Sequence, residues 1–172
     1  MIYVLYSAPY DLPATFAGPD YYASLQKDPE TYRIFENTVT GTMTVYMKKK
    51  PVILTDPESR HYSLIAALSE TLPENSTLVF PDVTNLADES NAAVSLTNRF
   101  LDRHINLEFQ NSPWLNTKNM AVLFMTNPYE ARASFNSLLT KTIEWKTSPA
   151  VLPQPADIDM LQASSCVKKN RI

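Results

Sequence analysis

One rhythm constrains this chain more than any other feature. Over residues 74–110, short apolar runs of strand character alternate with stretches of helical spacing. Thr77-Leu78-Val79-Phe80 is a continuous apolar run of strand length. Ala93, Leu96, Thr97, Phe100 and Leu101 then recur on one helix face, behind Asp88 or Ser90 as the capping residue. Ile105-Asn106-Leu107-Glu108-Phe109 alternates as a strand does. This succession argues for parallel strands joined by right-handed crossovers. The predicted fold is α/β: a mainly parallel sheet of about four to five strands flanked by helices in three layers.

The flanking sequence extends the pattern. Residues 2–6 read as a first strand, after which Pro9, Pro13 and Pro19 interrupt regular structure. A helix is predicted over residues 20–26, and Tyr32-Arg33-Ile34-Phe35 reads as a second strand. Residues 43–47 and 51–54 are two more β-like runs around Lys48-Lys49-Lys50, together a hairpin with a basic tip. Asp56-Pro57-Glu58 carries the marks of a helix start: a capping carboxylate, proline at the first position and an acid in the first turn. His61, Leu64, Ile65, Leu68 and Leu72 follow on one face. Beyond Pro113 the pattern loosens into an irregular helical region. Asn127-Pro128 opens a helix with Phe135, Leu138, Leu139 and Thr142 on one side. Pro149, Pro153 and Pro155 mark a loop, residues 157–163 a short helix, and Lys168-Lys169-Asn170-Arg171 a basic tail. The expected organisation is a domain over residues 1–125, with an insertion at about 42–56, and a C-terminal helix and proline-rich tail over 126–172 packed on it or extending from it.

The totals exclude several classes. With 172 residues, 44% of them hydrophobic, the chain can bury a core without metal or disulfide. A net charge of −3 argues against a whole-domain grip on nucleic acid. Gly18 and Gly41 are the only glycines, so a phosphate-cradling loop or a dinucleotide fingerprint is ruled out. Cys166 is the single cysteine and no Cys/His metal spacing exists. No metal and no cofactor are expected. There is no leader-like or membrane-spanning segment, so a cytoplasmic location without membrane contact is expected.

Residues 62–117 resemble the second half of a small serine recombinase catalytic domain, the resolvase/invertase family. Glu74-Asn75-Ser76-Thr77-Leu78-Val79-Phe80 stands where the family has Glu-Gly-Asp-Thr-Leu-Val-Val. Val83-Thr84-Asn85-Leu86-Ala87-Asp88 stands for Leu-Asp-Arg-Leu-(Gly/Ala)-Arg. Leu101-Asp102-Arg103-His104-Ile105-Asn106-Leu107-Glu108-Phe109 is similar to the family's helix end and fourth strand, where glycine is usual at the position of His104. Ser112-Pro113-Trp114-Leu115-Asn116-Thr117 resembles the threonine ending after that strand. In the first half, Tyr3-Val4-Leu5-Tyr6-Ser7 resembles Tyr-x-Arg-Val-Ser, and the stretch from Arg33 to Gly41 resembles one that usually ends in Ser-Gly. About two-thirds of the chain is covered, with one insertion.

The resemblance implies DNA strand exchange by attack of a serine, here Ser7, on a phosphodiester. A serine hydroxyl needs activation, and the phosphate needs preorganised cations, for which arginine's planar fork is suited. Those arginines are missing. Leu5 replaces one, Thr84-Asn85 replaces Asp-Arg, and Asp88 replaces another. Before the middle helix the matching position is Tyr62, with Arg60 two residues away. An aspartate about 4 Å from a phosphate would repel it by ~4 kcal/mol at an effective dielectric near 20.

The implied protein is a resolvase-like pseudoenzyme of a mobile element or phage. It would act through protein interaction or weak DNA contact, as a homodimer or with a recombinase-like partner. One alternative is an active recombinase or nuclease with a rearranged site of Ser7, Arg33 and Arg60. A second is an unrelated small α/β phage or regulatory protein. Lys48, Lys49 and Lys50 are candidate phosphate contacts, or only a solubilising tip. Simpler readings stand beside the others. Ser7 is a turn residue, Arg33 and Arg60 are surface charges, and Asp82, Asp88 and Glu89 precede a helix rather than hold a metal. His61 and His104 are too far apart in sequence for a shared ion. Trp114 and Trp145 are packing residues.

Overall fold

The computed structural model describes residues 1–9, 31–47 and 50–148, together with Ala23. Six strands form one sheet: β1 (Ile2–Ala8), β2 (Thr31–Asn37), β3 (Thr42–Tyr46), β4 (Pro51–Thr55), β5 (Thr77–Phe80) and β6 (Asn106–Phe109). They lie in the order β4-β3-β2-β1-β5-β6. β1 pairs in parallel with β2 and β5, and β5 with β6, while β2–β3 and β3–β4 are antiparallel. The fold is therefore α/β with a mixed sheet. Among the described residues it has six strands: four run in parallel, and the added hairpin over residues 42–56 joins them as two more through the β2–β3 ladder.

Four α-helices of more than one residue are described: α1 (His61–Thr71), α2 (Ser90–Asp102), α3 (Ala121–Thr126) and α4 (Pro128–Thr147). Strand residues alternate faces. Tyr3, Leu5, Ile34, Val45, Leu78, Phe80, Leu107 and Phe109 share one face and are all buried. Leu64, Ile65 and Leu68 of α1, Ala93, Leu96 and Phe100 of α2, and Phe135 and Leu139 of α4 join them in a single core. Each fully buried Leu, Ile or Phe contributes about 1.5–3 kcal/mol. The opposite face carries Val4, Arg33, Phe35 and Val79. The helix expected over 20–26 lies, apart from Ala23, outside the described residues, as do the short helix expected over 157–163 and the basic tail.

Two helix starts differ from expectation. α1 begins at His61, not at Pro57. The Asp56 carboxylate accepts the Glu58 and Arg60 N–H groups, each at 3.1 Å, but it holds a turn in which Ser59 has φ +54°. That left-handed residue breaks the helical run. At α2 the cap is Glu89, neither Asp88 nor Ser90. Its carboxylate accepts from the N–H groups of Asn91 (3.0 Å) and Ala92 (2.9 Å). The α4 start is as expected: Asn127 Oδ1 accepts the Glu130 N–H, ahead of Pro128. No described helix is long and apolar enough to cross a membrane.

Candidate functional site

β1 leads to β2 on one side of the sheet and β5 leads to β6 on the other. The carboxyl ends of β1 and β5 therefore flank a topological switch point, where the diverging connections of open α/β sheets leave a crevice. Ser7 is the second-last residue of β1, and Asp82 follows the end of β5.

Ser7 lies opposite Glu36 in the β1–β2 register. Glu36 occupies the apolar face that Tyr32 and Ile34 begin, and it is only 3% exposed. Such a carboxylate must be hydrogen-bonded to be tolerated. The Ser7 hydroxyl donates to Glu36 Oε1 at 3.0 Å, and His61 Nδ1 lies 2.5 Å from Glu36 Oε2. The other ring nitrogen, Nε2, is 3.0 Å from the Leu86 carbonyl oxygen. A carbonyl only accepts, so Nε2 carries a proton. Burial works against charging His61, but the hydrogen bond and charge of Glu36 and the Leu86 and Asn85 carbonyls outweigh it, raising the imidazole above its ordinary value. The charged form, a donor at both nitrogens, fits both contacts.

Beside this trio, Asp82 organises the turn after β5. Lys146 Nζ of α4 reaches Asp82 Oδ1 at 2.6 Å, and the Thr84 hydroxyl donates to Oδ2 at 2.7 Å. The Asp82 N–H donates to Asn85 Oδ1 at 3.0 Å. Burial pushes the Asp82 carboxyl up, but Lys146, Thr84 and the Val83 N–H prevail and hold it below the usual carboxylate range.

The sequence-derived candidates fall as follows. Ser7 is exposed and lies within the strand rather than in a turn. Leu5 is fully buried core. Thr84 and Asn85 belong to the 3-10 turn Val83–Asn85 and bind Asp82, while Asp88 is exposed just before the Glu89 cap. The His61–Leu86 bond ties this turn to the Ser7 end of the sheet. Arg33 precedes Glu36 on β2 by an odd number of residues, so it is on the opposite face from Ser7 and Glu36. Arg60 is exposed, with its guanidinium 3.2 Å from Asp56 and 3.3 Å from Glu58. Tyr62 hydrogen-bonds Ser95. Lys50 is exposed at the hairpin end, and Lys48 and Lys49 lie outside the described residues. Among the described residues no group of three or more His, Cys, Asp or Glu could hold a metal. Trp114 and Trp145, both half-buried, stack at 5.8 Å, and the Trp114 indole N–H donates to Thr142.

Sequence reasoning missed Glu36 as a site residue, and it missed the partnership of Glu36 with His61. A signal for the first was present: an acid at the end of the alternation Tyr32, Ile34, Glu36. The contact with His61, 25 residues away, carries no local mark. No family model matches this chain, and no curated protein matches its sequence.

Proposed function

We propose that this is a resolvase-like protein that does not cut DNA and acts by binding, in a mobile element or phage. One observation carries the inactive half. Among the described residues, the cation joined to Ser7 through Glu36 is His61, and both of its ring nitrogens are engaged, by Glu36 and by the Leu86 carbonyl. No N–H of that ring remains to grip a phosphate, and the Ser7 proton is directed at a buried carboxylate. Such a serine has a hydrogen-bond acceptor but, among the described residues, no open fixed positive charge of the kind that phosphoryl transfer draws on. Neither candidate arginine supplies it: Arg33 is on the far face, and Arg60 is held by Asp56 and Glu58.

The backbone supports the resemblance. The family places glycine at the positions of Gly41, Asn75 and His104. These residues have φ of +65°, +66° and +56°, the left-handed region that favours glycine. At all three places where the resemblance sets a glycine, this chain has a backbone that favours one.

The test is incubation with supercoiled plasmid, followed by denaturing electrophoresis to trap covalent protein–DNA species. Wild type and Ser7→Ala are expected to behave alike, with no adduct and no relaxed or nicked product. An adduct that Ser7→Ala abolishes would overturn the proposal.

A further inference from the structure

The two edges of the sheet are finished differently. At the β6 edge, the turns that follow close the strand with side chains. The Leu107 N–H donates to Thr117 Oγ1 at 2.9 Å, and the Phe109 N–H donates to Asn116 Oδ1 at 2.7 Å. At the opposite edge, among the described residues, no strand pairs with the outer side of β4. Sheet edges left open in this way are templates for another strand unless charge, proline, a bulge or a cover blocks them. β4 has none of the charge, and its one proline, Pro51, stands at its first residue, clear of the central Ile53. It reads Pro51-Val52-Ile53-Leu54-Thr55, and its central residue, Ile53, is 65% exposed. Val52 and Leu54 point to the other face and pack against the core.

The sequence around this edge says which strand fits it. Lysines 48–50 precede β4, and Asp56 and Glu58 follow it. Parallel pairing with a second copy would set basic on basic and acidic on acidic. Antiparallel pairing about Ile53 sets Ile53 against Ile53, Val52 against Leu54 and Pro51 against Thr55. It also brings Lys50 of each copy to Asp56 of the other, near Glu58. Opposite charges and matched apolar pairs across strands stabilise a ladder, and like charges oppose it. Lys50 and Glu58 are both exposed, and Asp56 and Glu58 would add Lys50 to the Arg60 that they already hold.

We propose that two copies of this chain associate through antiparallel β4–β4 pairing centred on Ile53, joining their sheets edge to edge. The inference is independent of the resolvase-like reading, since it uses only the hairpin, which that resemblance does not cover.

Sedimentation equilibrium of the full chain is expected to give a dimer. Ile53→Lys, which sets two cations face to face at the centre of the ladder, is expected to give a monomer with unchanged circular dichroism, whose melting no longer depends on protein concentration. A second arm uses a Cys166→Ser background. Ile53→Cys should form an intermolecular disulfide on mild oxidation, because the two-fold places the residue opposite itself. Met125→Cys, 85% exposed on α3, should not. A monomeric wild type, a dimer that survives Ile53→Lys, or a dimer that Ile53→Cys fails to cross-link would each overturn the proposal.

Discussion

Removing His61 is expected to destabilise the fold in a way that depends on pH. Glu36 is 3% exposed and has two partners, the Ser7 hydroxyl and His61. His61→Ala leaves the carboxylate with the hydroxyl alone. Stripping one member from a buried ion pair costs about 3–5 kcal/mol. The His61 side chain is itself 37% exposed, so water can enter the vacated space, and the expected loss is nearer ~2–3 kcal/mol. Glu36→Gln keeps the shape and loses the charge, so it should cost less, about 1–2 kcal/mol.

The sign with pH follows from the raised imidazole. A folded value above the unfolded one, near 6.5, means that the pair's contribution is complete below pH of about 6. It is lost as pH rises through the folded value. Urea unfolding followed by the fluorescence of Trp114 and Trp145 reads this directly. Wild-type stability should fall as pH rises from about 6 through the raised folded value of His61, and His61→Ala should flatten that segment. The only other histidine, His104, is exposed and common to both proteins. At about pH 6 a double-mutant cycle with Glu36→Gln should give a coupling of roughly 1.5–3 kcal/mol. Additivity within about 0.5 kcal/mol, or an unchanged pH slope in His61→Ala, would refute the argument.

Three further outcomes are expected. Gly41→Ala should cost about 2 kcal/mol or more in urea unfolding, since its backbone is left-handed and an added Cβ would collide with the Ser59 side chain. His104→Gly should instead gain roughly 0.5–1 kcal/mol, since glycine relieves the φ of +56° at that turn. Lys146→Met should make the fold more acid-labile. The lowered Asp82 carboxyl stabilises above its unfolded value near 3.9 and loses that contribution as pH falls through the folded one, so removing Lys146 should move acid unfolding to higher pH in a circular dichroism titration.

Much of the fold was legible because the signals were periodic and local. The inner face of α2 was readable from spacing alone: Ala93, Leu96, Thr97 and Phe100 are all buried. α4 was readable as well, because Asn127-Pro128 and the recurrence of Phe135, Leu138, Leu139 and Thr142 agree on one start and one face. Local signals failed where a turn imitates a helix start. Asp56-Pro57-Glu58 has the composition of a capped helix, and its carboxylate does bind following N–H groups. Whether the chain then continues as helix depends on the φ of Ser59, where Gly41 packs tightly against it from the neighbouring turn. That contact joins two turns separated by the whole of β3 and β4, and no pattern within a window of one helix contains it.

The candidate site was less legible for the same reason, on a larger scale. Ser7 could be singled out, but its chemistry depends on which side chains the topology brings to the carboxyl end of β1. Glu36 arrives by strand register, His61 by the start of α1, and Leu86 by the turn after β5. Three separate segments thus decide the state of one hydroxyl. Counting missing arginines along the sequence identifies what is absent from the resemblance. It does not reveal that a carboxylate and an imidazole have taken up the hydrogen bonds at that place. The distinction matters for any attempt to place arginines at the positions where the resemblance expects them. Introducing arginine at Leu5 would bury a charge in the fully closed core, and arginine at Asn85 would break the bond that holds Asp82. On the proposed resolvase-like reading, single substitutions at those two positions would therefore cost stability before they could yield a grip on DNA.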